Sequence, residues 1–141
     1  MGPWPKSIGA ITLFVDDLEA AKSFYQEVFG LAVMFTDDSS AVFDFGNTII
    51  NLLVTTAASE LIHPAAVAER ASGSRLQLTI EVDDVDAMCT ELAGRGVTLL
   101  NGPMDRPWGI RTASFVDPGG HIWEIACANP RPEPEPGSGS E

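Results

Sequence analysis

The side chains in this chain best suited to chemistry are few and scattered. Glu124 stands in the apolar run His121-Ile-Trp-Glu-Ile-Ala-Cys127. A carboxylate there can act as a general base if burial raises its pKa, or it can simply accept hydrogen bonds. Asn51 and Gln77, also among apolar neighbours, add neutral amides. Trp108, between Pro107 and Gly109, offers a flat face for stacking on an aromatic ligand; the alternative is a rim residue that packs on protein. Arg111 can hold a carboxylate of a ligand or, as the stronger reading, of the protein itself. His63 and His121 are isolated and suggest no metal site. Cys89 and Cys127 form no CxxC pair and no disulfide framework, so they read as small apolar residues.

The elements that must position these groups come in two copies. Val15-Asp-Asp-Leu-Glu-Ala20 recurs sixty-seven positions later as Val82-Asp-Asp-Val-Asp-Ala87. In each copy an alternating strand precedes the acidic pair and a helix follows it, because a short carboxylate caps free helical N–H groups. Ile8 to Val15 reads as a strand, and either Asp16 or Asp17 as a cap. Leu18, Ala21, Phe24, Tyr25 and Val28 have helical spacing, and Gly30 stops the helix. Strands follow at about 32–36, 41–45 and 48–54, with Gly46-Asn47 as a hairpin turn. Residues 55–74 read as a connector with a helical turn or two. The second copy predicts strand 76–82, helix 85–95 with Gly96 as its stop, and strands 97–100, 110–116 and 121–127. Asp117-Pro-Gly-Gly120 is the turn before the last strand.

The expected fold is therefore α+β: two tandem βαβββ modules, 7–54 and 75–127, joined by linker 55–74. A curved mixed sheet would surround a ligand cleft, with helices on the outer face. One domain would span 1–127. The tail 128–141, rich in Pro, Glu, Gly and Ser, is expected to be disordered. Whether the modules pair within a chain or exchange between chains is open at this level.

Of the 141 residues, 45% are hydrophobic and the net charge is −12. Nucleic acid is excluded as a partner, since binding it requires Lys and Arg to neutralise phosphates. A cationic small molecule would be attracted, although acidity also serves solubility alone. No apolar run approaches the ~18 residues of a membrane span. The N-terminus lacks the charged-then-apolar pattern of a secretory signal. A cytoplasmic location is expected.

Several runs resemble the vicinal oxygen chelate superfamily, which includes glyoxalase I, extradiol dioxygenases, methylmalonyl-CoA epimerase, fosfomycin resistance enzymes and bleomycin resistance proteins. They are Val15-Asp-Asp-Leu18 with Phe24-Tyr25 and Phe29-Gly-Leu31; Phe43-Asp-Phe-Gly46; Val82-Asp-Asp-Val85; Pro107-Trp-Gly-Ile-Arg111; and Phe115-Val-Asp-Pro-Gly-Gly-His-Ile-Trp-Glu124. The resemblance covers about residues 7–127. It implies four strand positions where catalytic members hold a divalent metal: here Ala10, Asn51, Gln77 and Glu124. Ala10 cannot ligate, and two amides with a single carboxylate make a poor site for a first-row metal. No metal and no other cofactor is expected, although Mg²⁺ or Ca²⁺ could be held weakly through oxygen.

Strand parity completes the expectation. With Ile11, Leu13 and Val15 packed on the helix, Thr12 and Phe14 face the cleft with Asn51, Gln77 and Glu124. Trp123 then belongs to the core. The expected ligand-binding set is Thr12, Phe14, Phe35, Phe43, Asn51, Gln77, Trp108, Arg111 and Glu124, with no catalytic residue; for Phe35 and Phe43, each taken alone, sheet core is the stronger reading. Glu124 would be a relic of a metal site, hydrogen-bonded to Gln77 or Asn51, or a ligand contact. The resemblance implies a non-catalytic protein that sequesters an aromatic antibiotic or similar natural product. It also implies a homodimer with clefts at the subunit interface. Two alternatives are a glyoxalase-like lyase, isomerase or dioxygenase with an unrecognised metal site, and an interaction subunit without a small ligand.

Overall fold

The structure, a computed structural model, describes residues 3–129. Contacts divide the chain into two units. One runs to Gly73 and takes in the turn Asp117–Gly120; the other holds Ser74–Val116 and the chain from His121 onward.

The first unit contains β1 (Ala10–Val15), α1 (Leu18–Glu27), β2 (Val33–Thr36), β3 (Ser40–Asp44), β4 (Ile49–Val54) and α2 (Thr55–Ile62). Its sheet has the order β1-β4-β3-β2, with β1 parallel to β4 and the other pairs antiparallel. The second unit contains β5 (Gln77–Glu81), α3 (Val85–Gly94), β6 (Leu99–Asp105), β7 (Ile110–Val116) and β8 (Ile122–Ala128). Its order is β5-β8-β7-β6, with the same pairing senses. The α+β duplication is thus complete: two βαβββ modules, each with its own four-stranded mixed sheet.

In both acidic pairs the second residue is the cap. Asp17 accepts from the Ala20 amide at 3.0 Å, and Asp84 from the Ala87 amide at 3.1 Å. Such caps are each worth about 1 kcal/mol. Gly30 and Gly96 follow the helices with φ of 70° and 85°, the left-handed stops expected from sequence.

Helix α1 buries Leu18, Ala21 and Tyr25. Beneath it lie Leu13 and Val15 of β1, Ala41 and Phe43 of β3, and Ile50 and Leu52 of β4, all buried. Tyr25 is fully buried and packs on Phe43 and Phe29, with ring centroids 5.3 and 5.1 Å away. Its hydroxyl donates to Asp117 Oδ2 at 2.8 Å. In the second unit α3 buries Val85 and Leu92, while Ala113, Phe115, Trp123 and Ile125 fill the sheet side of the core. Trp123 is the core residue its parity predicts.

Three boundaries differ from the sequence reading. The connector holds a full helix, α2, which ends before Pro64, a residue with no N–H to continue it. Strand β6 continues to Asp105, well past the expected end at position 100. Gly102 and Pro103 read as strand breakers, but β6 is an edge strand and its register slips between Asn101 and Met104. Edges and bulges are where strands tolerate such residues. A side chain at Gly102 would be strained: its φ is 88°, and a Cβ would lie 2.6 Å from the Thr112 carbonyl oxygen. Of the expected tail, Ala128 closes β8 and Asn129 is buried, its amide donating to the Gly109 carbonyl at 2.9 Å. The rest of the tail lies outside the described residues. Among the described residues no helix is long and apolar enough to cross a membrane.

Candidate functional site

Each sheet has one face under its helix and one face without a helix, and strand pairing sorts the candidate residues between them. Cross-strand partners point to the same side of a sheet. In the first module Leu13 pairs with Leu52 and Leu52 with Ala41, a row buried under α1. The next row is Thr12, Asn51, Val42 and Phe35, running across all four strands on the opposite face. Thr12, Asn51 and Val42 are half-buried, and Phe35 is 55% exposed. Phe14 and Ala10 share this face by alternation along β1.

Asn51 has one further property. Its Oδ1 atom is buried and accepts no hydrogen bond. Such an oxygen costs free energy, on the order of 1–3 kcal/mol, unless something donates to it.

The corresponding row of the second module is Thr79, Glu124, Ser114 and Asn101. The Thr79 hydroxyl donates to Glu124 Oε1 at 3.0 Å, and the Ser114 hydroxyl donates to Asn101 Oδ1 at 2.9 Å. The expected partner of Glu124 was Gln77 or Asn51. It is instead Thr79, its direct neighbour on a parallel strand. Gln77 pairs with Ile122 and is exposed.

Two expected ligand contacts lie on the wrong face. Phe43 pairs with Ile50, a helix-facing residue, and is completely buried beside Tyr25. It belongs to the core. Arg111 has the parity of Ala113 and Phe115 and reaches α3. Its Nε and Nη2 donate to both oxygens of Asp86 at 2.8 and 2.9 Å, and its Nη1 donates to Asp105 Oδ1 at 2.8 Å. The two aspartates raise the guanidinium above its ordinary range, and the Arg111 hydrogen bonds hold the Asp86 carboxyl below the usual carboxylate range. Arg111 is a clamp between α3 and the end of β6. Beside it lies a cavity of ≈ 530 Å³ with Asp83, Asp84, Asp86 and Asp105 in its lining, which the sequence did not reveal. The acidic repeat reads as a pair of helix caps, and nothing in the spacing brings Asp105 to it.

Trp108 is 69% exposed at the tip of the β6–β7 hairpin. The turn beneath it is held by Arg106 N–H to Ile110 O at 2.7 Å and by Gly109 N–H to Arg106 O at 3.1 Å. The Arg106 guanidinium Nε also donates to the Thr112 hydroxyl at 2.9 Å. An exposed indole on a braced turn is suited to stacking.

A metal can be tested against the donor set. The four family positions supply a methyl group at Ala10, amides at Asn51 and Gln77, and a carboxylate at Glu124 that Thr79 already engages. Among the described residues, no group of three or more His, Cys, Asp or Glu side chains is placed to hold a metal ion. These residues do not fit a first-row transition metal, which favours imidazole, thiolate or several carboxylates. His63 is exposed at the end of α2, and His121 precedes β8. Cys89 and Cys127 are free, and burial pushes the Cys89 thiol up.

Comparison with known proteins agrees with this architecture. Residues 7–125 match the model of the Glyoxalase/Bleomycin resistance protein/Dioxygenase superfamily. The uncharacterized protein YraH of Bacillus subtilis (strain 168) is 33% identical over 119 residues, 82% of this chain and 93% of that protein. The metallothiol transferase FosB of Lysinibacillus sphaericus (strain C3-41) is 29% identical over 120 residues, 85% of this chain and 81% of FosB. A crystal structure of a glyoxalase/bleomycin resistance protein/dioxygenase from Nocardioides superposes with a TM-score of 0.82 at 25% identity, covering 96% of this chain and 91% of the other. The chain belongs to this superfamily.

Proposed function

We propose that this member of the superfamily is a non-catalytic binding protein that sequesters an aromatic natural product of the antibiotic kind. The observation that carries the reading is the donor set on the two sheet faces that carry no helix. Where a metal enzyme of this family needs ionisable ligands, the chain has Ala10, two amides and one carboxylate bonded to a neighbouring threonine. What remains suits recognition: half-buried Thr12, Phe14 and Asn51, exposed Phe35, and Trp108 on its braced turn. Ligand pockets combine apolar walls with a few placed polar groups in this manner. The ligand would be held by aromatic stacking and oriented by hydrogen bonds, and the net charge of −12 favours a basic one. A homodimer with shared clefts, in the cytoplasm, is part of the proposal.

The test is a titration of planar antibiotics, including anthraquinone-like compounds and bleomycin, followed by tryptophan fluorescence with and without EDTA. Saturable binding that EDTA leaves unchanged, with the compound recovered intact, supports the reading. Turnover of any of them contradicts it.

One observation favours an enzyme: Glu124 is present, and a relative of similar length is named a metallothiol transferase. Under that reading Glu124→Gln abolishes turnover. Under the binding reading it only weakens affinity.

A further inference from the structure

Arg106 and Arg111 flank one hairpin turn, and the protein satisfies only one of them. Arg111 lies on the helix side and gives three donors to Asp86 and Asp105. Asp105 pairs with Arg111 across β6–β7, so the next residue, Arg106, turns to the face without a helix. There its Nε donates to the Thr112 hydroxyl at 2.9 Å. Thr112 is 2% exposed and sits between Met104 and Ala126 on the neighbouring strands. That bond orients a half-buried guanidinium. Its two terminal nitrogens have no partner among the described residues, and neither is a buried atom, so both reach the surface. No carboxylate among the described residues forms an ion pair with it. The chain has 20 acidic residues against eight Lys and Arg, so a counter-ion is not scarce. A half-buried charge left without one is costly, and proteins ordinarily pair it.

We infer that Arg106 binds a carboxylate of the ligand through its two terminal nitrogens, in the same turn as Trp108. The chemical class is an aromatic molecule with a carboxylate at its edge. The planar fork of a guanidinium matches the two oxygens of that group. A phosphate would match it too, but Glu81 and Glu124 lie on the same face and repel a dianion more strongly. A simple cation, which the net charge alone attracts, leaves the fork unanswered; a molecule with both a basic group and a carboxylate meets both. This assignment rests on the binding-protein reading and names one group of its ligand.

The experiment titrates the full chain with 2-naphthoate, its methyl ester and 2-naphthyl phosphate. The unaltered protein is expected to prefer the naphthoate to the ester by about tenfold, the effect of one charge-assisted hydrogen bond or more. Arg106→Gln, which can still donate to Thr112, is expected to abolish that preference and leave the ester's affinity unchanged. Arg106→Lys, which keeps the charge without the fork, is expected to retain part of it. Equal affinities in the unaltered protein, or a preference that survives in Arg106→Gln, would overturn the assignment while leaving the binding reading intact. Both probes weakened equally in Arg106→Gln, with a lowered melting temperature, also overturns it, because Arg106 is then structural. Tighter binding of the naphthyl phosphate than of the naphthoate overturns the choice of carboxylate. Absence of binding by any probe at millimolar concentration overturns the binding reading and this assignment together.

Discussion

Thr79 and Glu124 face each other across the parallel pair β5–β8, and the threonine hydroxyl donates to the carboxylate at 3.0 Å. Thr12 and Asn51 face each other across the parallel pair β1–β4 in the first module, yet the Asn51 oxygen accepts nothing. One row is satisfied from within; the other holds a buried oxygen without a partner. The proposed function rests on the donor set at Ala10, Asn51, Gln77 and Glu124, which suits no first-row metal.

Under the proposed function Glu124 orients a ligand rather than acting as a base. Glu124→Gln keeps the acceptor that Thr79 uses and removes the charge. We expect ligand affinity to fall less than about tenfold, the usual worth of one hydrogen bond with some charge assistance. Calorimetric titration of the two proteins with one ligand measures this.

Trp108 is expected to supply stacking. Trp108→Ala should weaken an aromatic ligand by roughly three- to tenfold, as aromatic pairs contribute about 0.5–1.5 kcal/mol beyond burial. Because the indole is exposed, the melting temperature should hardly change. A large loss of stability with unchanged affinity would assign Trp108 to packing.

The Tyr25–Asp117 bond predicts a stability effect remote from any ligand. Both groups are buried, 92 positions apart in sequence, at 2.8 Å. Tyr25→Phe leaves the carboxylate with one donor fewer and should cost about 1.5–3 kcal/mol, the range for bonds to charged groups. Urea denaturation should show a lower midpoint with an unchanged slope.

The Arg111 clamp predicts a pH dependence. Asp86 has its carboxyl lowered in the folded protein by Arg111, so the unfolded chain binds its proton more readily. The pair's contribution is present above the ordinary carboxylate range and is lost as the pH falls through the depressed folded value. Arg111→Ala should therefore flatten the acid side of the stability profile while leaving ligand affinity at pH 7 unchanged. Thermal melts from pH 3 to 7 read this directly.

Much of this architecture is legible in the chain because local rules govern it. The acidic pairs cap helices by short-range geometry, and Gly30 and Gly96 stop them by backbone conformation. Strand alternation placed Thr12, Asn51 and Glu124 away from the helices. What stayed open is what a neighbouring strand decides. Phe43 reads as pocket wall or, more strongly when taken alone, as sheet core, and its pairing with Ile50 puts it under α1. Arg111 depends on Asp105, a residue on a strand that Gly102 and Pro103 conceal. The unpaired oxygen of Asn51 was beyond sequence reasoning altogether, since it is defined by what its cross-strand neighbours lack.

Gly102 itself offers a check on that concealed strand. Gly102→Ala should destabilise by about 2 kcal/mol or more, because a side chain there meets both a left-handed φ and the Thr112 carbonyl. Chemical denaturation of the variant would contradict the bulge if its midpoint were unchanged.

The central claim is that this chain binds an organic ligand without a metal. Native mass spectrometry of the protein as isolated, with its metal content determined alongside, tests it most directly. The account predicts no stoichiometric transition metal and, where a ligand is retained, an organic adduct that survives EDTA. One tightly held metal per chain, removed by EDTA together with binding, would contradict it.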